Sequence, residues 1–231
     1  MSSLRIGLVA EGSTDVVIIE AALNGFLDRR FVLSLLQPEA TQPYLGAGWT
    51  GVAKWCHHAA LRYQGDLNTD PTLSHFDLLI IHLDVDVTGF SYDQGGEPLR
   101  QLAHTHHWQP LPTACICPPI DHCVTDLQRV LSSWLHPAVL GAKSVLCLPA
   151  QSSGTWLAAA VLDDQHHLIA DPLECNAVEA QLPHLPLKQR IKKNKRDYQA
   201  KAHLITEHWQ RIAAKCRQAQ QFQADVLAAI I

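Results

Sequence analysis

The chain lacks any apolar run approaching the length of a membrane-spanning helix, and Ile6 to Ala10 is too short for a signal-peptide core. A cytoplasmic protein with no membrane partner is therefore expected. No charge sign dominates either. Lys and Arg number 18 against 22 Asp and Glu, a formal net charge of −4, so no whole face can serve as a basic footprint for nucleic acid. Zinc-type spacing is missing too. Cys115-Ile116-Cys117 and Cys123 have no second pair, and the doublets His57-His58, His106-His107 and His166-His167 fall in no H-x-x-x-H arrangement with an acidic partner. Without a secretion signal, the seven cysteines are expected as reduced thiols. Internal repeats and low-complexity tracts are absent.

What is there suffices for a core. With 231 residues, 47% of them hydrophobic, the chain fits one large α/β domain or one domain with a helical annex. Arg5 to Ala10, Phe31 to Leu36, Leu78 to Leu83 and Ser144 to Leu148 read as strands. Helical patterns are expected from Ser13 or Thr14 as cap, over Val52 to Tyr63, over Asp121 to Leu135 and over Gly154 to Leu162. Strands alternating with helices predict a mainly parallel sheet covered on both faces. Residues 1–182 form this body. The remainder, 183–231, opens with Pro183 and Pro186 and a basic run of Lys188, Arg190, Lys192, Lys193, Lys195, Arg196 and Lys201. The run reads either as a solvated helix start or as a phosphate-backbone contact, with Tyr198 available to stack on a base. After it, Ile205, Trp209, Ile212, Cys216, Ala219, Phe222, Val226 and Ile230 mark one apolar helical stripe. That stripe packs back on the body or forms a homodimer contact. Trp49, Trp55, Trp134 and Trp156 are expected in the core.

The chemistry lies at two strand ends. The first strand runs into Glu11-Gly12-Ser13-Thr14-Asp15, and the third into Asp84-Val85-Asp86. Side chains two apart on an extended chain share a face, so Asp84 and Asp86 are expected side by side. With the two strands adjacent and parallel, Glu11 joins them at the carboxyl edge of the sheet, where open α/β sheets bind ligands. Mg²⁺ takes oxygen ligands and keeps several waters, so a few carboxylates suffice. Asp15, one turn into the helix, is placed to join a second ion about 4 Å from the first. Gly12 is read as easing a sharp turn there.

Glu11-Gly-Ser-Thr-Asp15 after a strand and Asp84-x-Asp86 after a later one resemble the Toprim domain of topoisomerases, primases, recombination proteins and OLD-type nucleases. The likeness extends to Pro118-Pro119 with the Asp126-Leu127 helix, to Leu148-Pro-Ala-Gln-Ser-Ser-Gly-Thr-Trp156, to Lys193-x-Lys195-Arg196-x-Tyr198, and to Cys216-Arg217-Gln218-Ala219-Gln220-Gln221-Phe222. It points to small stand-alone bacterial Toprim-like proteins, some linked to phage defence. The resemblance implies a Rossmann-like Toprim fold with a helical C-terminal extension. It further implies Glu11 as general acid/base or ligand, and Asp84, Asp86 and Asp15 as ligands of Mg²⁺ (or Mn²⁺). Lys192, Lys193, Lys195 and Arg196 would then hold nucleic acid, DNA or RNA, with a partner ATPase as a further expectation. One departure stands out. Similar proteins often carry a glutamate two residues before the tryptophan, where this chain has Gly154; Asp121, Asp163 and Asp164 are the residues weighed as substitutes. A catalytically silent module that binds a partner protein or nucleotide is the alternative function.

Overall fold

The computed structural model describes residues 3–38 and 45–230. Its strands β1 (Leu4–Val9), β2 (Phe31–Gln37), β3 (Leu78–His82) and β4 (Ser144–Cys147) form one sheet in the order β2-β1-β3-β4, with every pairing parallel. The alternating pattern is therefore resolved as an α/β fold. Every residue of β3 is buried, which is why its sequence is an unbroken apolar run and not an alternating one.

Two hydrophobic layers follow from the strand period of two. Leu4, Ile6, Leu8, Leu78, Ile80 and Val145 face one layer; Leu79 and Ile81 face the other. The first layer is covered by α1 (Ser13–Phe26), α5 (Gly154–Val161), α6 (Lys195–Glu207), α7 (Trp209–Lys215) and α8 (Arg217–Ala229). The second is covered by α2 (Gly48–Arg62), α3 (Glu97–Thr105) and α4 (Asp121–Leu135). All four tryptophans expected in the core are there. Among the described residues, no helix is long and apolar enough to cross a membrane.

Local readings need four corrections. The helix α1 starts at Ser13 with Gly12 as its N-cap and no side-chain capping bond, so neither Ser13 nor Thr14 caps it. Gly12 has φ −155° and ψ 175°, an extended conformation open to any residue, so its backbone does not call for glycine. The C-terminal helical pattern is not one helix but three, turning at His208 and Cys216. These turns keep the stripe on the body: Ile205, Trp209, Ile212, Cys216, Ala219, Phe222 and Val226 are all buried in the layer that holds α1 and α5. The stripe a dimer would need is thus consumed within the chain, and residues beyond 182 share the core of the sheet domain.

The fourth correction concerns the cysteines. Cys115 is bonded to Cys123 and Cys117 to Cys175, while Cys56, Cys147 and Cys216 are free and buried. Four of the seven are therefore not thiols. The partners come from separate elements, Cys123 from α4 and Cys175 from a short 3₁₀ turn at Leu173–Cys175, so local spacing carried no sign of the pairing.

Candidate metal centre

In the strand order β2-β1-β3-β4 the chain leaves β1 toward one edge and β3 toward the other, making the β1/β3 boundary the topological switch point. Glu11 lies just past the carboxyl end of β1, and Asp84 just past that of β3. Their meeting is direct: the Asp84 backbone N–H donates to Glu11 Oε1 at 2.7 Å. A residue from inside β3 completes the group. His82 Nε2 lies 3.0 Å from Asp84 Oδ1, and one ligand atom from each of Glu11, His82 and Asp84 falls within 4.8 Å of the others.

The loop after β4 walls this group. Ser153 N–H donates to Asp84 Oδ1 at 2.9 Å, and Ser153 Oγ donates to Asp15 Oδ1 at 2.7 Å. One serine thus ties the two expected ligands Asp84 and Asp15, both buried. Gln151 in the same loop holds φ 59°, the left-handed region that a side-chain-bearing residue seldom occupies, while its carbonyl accepts the Asp86 N–H at 2.9 Å.

Asp84 and Asp86 do not stand side by side. The extended strand ends at His82, and Val85–Val87 curls into a 3₁₀ turn with Asp84 as its N-cap. Past His82 the chain is no longer an extended strand, so side chains two apart no longer share a face. Asp84 is buried and Asp86 exposed, with Asp86 outside the Glu11–His82–Asp84 group. Asp86 still feels the centre. The protein crowding its carboxyl, and then the Asp84 charge, push it up to about 7 against the pull of Lys193.

Electrostatics in the group are those of crowded acids. Burial, followed by Asp84, raises Glu11 to about 8. Burial raises Asp84 as well, although His82 opposes it. For His82, burial favours the neutral ring, but Asp84 outweighs it and lifts the imidazole to about 9. His82 Nδ1 is buried with no hydrogen-bond partner among the described residues. The donor set is dominated by hard carboxylate oxygens, which fits Mg²⁺ or Mn²⁺. His82 Nε2 is already engaged by Asp84 and serves the carboxylates as a counter-charge.

The basic run divides. Lys192, Lys195 and Arg196 are exposed, the latter two opening α6 behind the Asn194 cap. Lys193, also exposed, reaches inward to Glu179 Oε2 at 2.9 Å. Tyr198 is 1% exposed and donates its hydroxyl to Glu179 Oε1, so it is no stacking platform. Glu179 also accepts from Ser152 Oγ at 2.8 Å. A Cβ on Gly154 would lie 2.3 Å from Glu179 Cγ and Cδ; the Glu179 side chain occupies the space beside that glycine. The weighed substitutes are engaged elsewhere. Asp121 pairs with Arg217, Asp164 with Arg211 and Lys215, and Asp163 accepts the Gln165 N–H.

Sequence reasoning missed His82, Ser152, Ser153 and Glu179. His82 left a signal, a lone imidazole in an aliphatic strand two residues before a carboxylate. Glu179 left none of its own. No protein-family model, curated protein or solved structure matches this chain.

Proposed function

We propose that this protein is a Toprim-like, divalent-cation-dependent enzyme that cleaves phosphodiester bonds in nucleic acid. The observation that carries the reading is the convergence of Glu11 and Asp84 at the sheet's switch point, with Asp15 joined to them through Ser153. Asp84 and Asp15 would hold the cation, with Asp86 at the rim. A bound Mg²⁺ or Mn²⁺ supplies Lewis-acid stabilisation of the charge that develops on a phosphate. Glu11, raised to about 8, is poised to accept or release a proton near neutral pH. Ser153 fixes the orientation of two carboxylates at once. Lys192, Lys195 and Arg196, exposed beside Lys193, suit contacts with a phosphate backbone.

Calorimetric titration with Mg²⁺ and Mn²⁺, followed by incubation of the same samples with plasmid and single-stranded substrates, tests the reading. The wild type is expected to bind metal and cleave, and Asp84→Asn to do neither. A wild type that binds no cation overturns it.

A second reading, the silent module that binds a partner protein or nucleotide, is favoured by one observation. His82 and Lys193 already set positive charge against the acids. Metal binding without cleavage of any substrate selects this reading.

A further inference from the structure

Glu179 sits at the start of a 3₁₀ turn, Glu179–His184, far along the chain from β1 and β3. Its side chain is nevertheless brought to the loop that walls the acids. The Glu179 side chain is 11% exposed and lies outside the Glu11–His82–Asp84 group; its carboxylate takes donors from three directions: Ser152 Oγ, Lys193 Nζ and Tyr198 OH. Ser152 adjoins Ser153, which holds Asp84 and Asp15. Burial disfavours the charge on Lys193, but the hydrogen-bonded Glu179 carboxylate, and after it Asp84 and Asp15, more than offset this and hold the lysine charged. The route in is open only because residue 154 has no side chain. Any Cβ there would overlap Glu179 Cγ, Cδ and Oε1, at 2.3, 2.3 and 2.5 Å.

Burying a carboxylate this far costs free energy unless it is paired. A partly exposed lysine (54% by side chain) is a modest partner, since ion pairs open to solvent contribute little. A purely structural anchor for Lys193 would need neither a glycine at 154 nor a serine and a tyrosine on the same group. We propose that Glu179 is a cation-binding carboxylate of the centre, delivered from a remote segment through the gap at Gly154, with Lys193 as the counter-charge that a divalent cation displaces. This rests on the cation-binding reading of Asp84 and Asp15.

The test is Mn²⁺ titration of the full-length chain by calorimetry, with folding checked by circular dichroism. Four variants are compared with wild type: Asp84→Asn, Glu179→Gln, Lys193→Met, and the double change Gly154→Glu with Glu179→Ala. Glu179→Gln is expected to weaken Mn²⁺ affinity by about tenfold or more. The double variant, which moves the carboxylate to position 154, is expected to recover most of that loss. Lys193→Met, on an exposed side chain, is expected to tighten binding, because the competing cation is gone. Should Glu179→Gln fail to fold, the Lys193→Met result decides: unchanged or weaker affinity overturns the inference. Wild-type affinity in Glu179→Gln, with binding lost in Asp84→Asn, overturns Glu179 alone and leaves the metal centre standing. No Mn²⁺ binding by wild type overturns both.

Discussion

The His82–Asp84 pair decides how the centre tolerates change. Removing one of several crowded carboxylates looks harmless from the sequence, since it relieves repulsion. In the fold, Asp84 is the hydrogen-bond partner of a fully buried imidazole. Asp84→Ala would strand that ring, at a cost of about 1–3 kcal/mol, whereas Asp84→Asn keeps an oxygen for it. The alanine variant is expected to melt below the asparagine variant by thermal denaturation; equal melting points would show that His82 does not depend on Asp84. Cation affinity should climb as pH rises through the range set by Asp86 at the rim, near 7, because ligands must lose protons to bind. Calorimetry at a series of pH values reads this directly. In the second layer, His57 is buried against His106. Burial, then the neighbouring imidazoles, lower its folded-state value to about 4 from 6.5. Between these values the unfolded chain binds more protons, so stability contributed by this ring is present above pH 6.5 and drains away as pH falls toward 4. His57→Phe is expected to flatten that acid limb, by about 1–3 kcal/mol across the window, in denaturant unfolding followed against pH.

At the level of elements, most of the fold could be read from residue order alone. The four strands and α4 follow from apolar period and from Asp121 after two prolines, because those signals are local. Glu11 and Asp84 were legible for the same reason: each directly follows an apolar run, and strand ends are where α/β sheets place ligands. The breaks in the C-terminal helices were not legible, since neither His208 nor Cys216 is a helix breaker; they go with the packing of the stripe on α1 and α5. Glu179 was hidden for a tertiary reason, its position depending on the docking of a 3₁₀ turn over Gly154. A second glycine shows how tight that layer is. A Cβ on Gly25 of α1 would stand 2.7 Å from Trp209 Cβ and 3.0 Å from the Thr206 carbonyl oxygen. Alanine normally gains up to ~1 kcal/mol over glycine inside a helix. Here overpacking of about 1–3 kcal/mol should win, so Gly25→Ala is expected to lower the unfolding midpoint in urea; a raised midpoint would mean that α6 and α7 can give way.

Across the whole molecule, charge and covalent connectivity are arranged unevenly. The net charge of −4 coexists with an exposed basic segment beside the acids, so binding of nucleic acid should rest on few phosphate groups. Replacing Lys192 and Lys195 with glutamate is expected to flatten the log affinity against log salt plot by about 0.7–0.9 for each phosphate no longer neutralised. Mn²⁺ affinity should stay put, and an unchanged salt slope would remove these lysines from the interface. The Cys117–Cys175 bond carries a different message. It fastens the loop ahead of α4 to the turn that precedes Glu179, joining the coverings of opposite sheet faces. Arg129 and Lys143 are exposed within the span it encloses. Trypsin acting at either one would therefore yield a nicked protein that still migrates as a single species, and whose two pieces part only when a reductant is added.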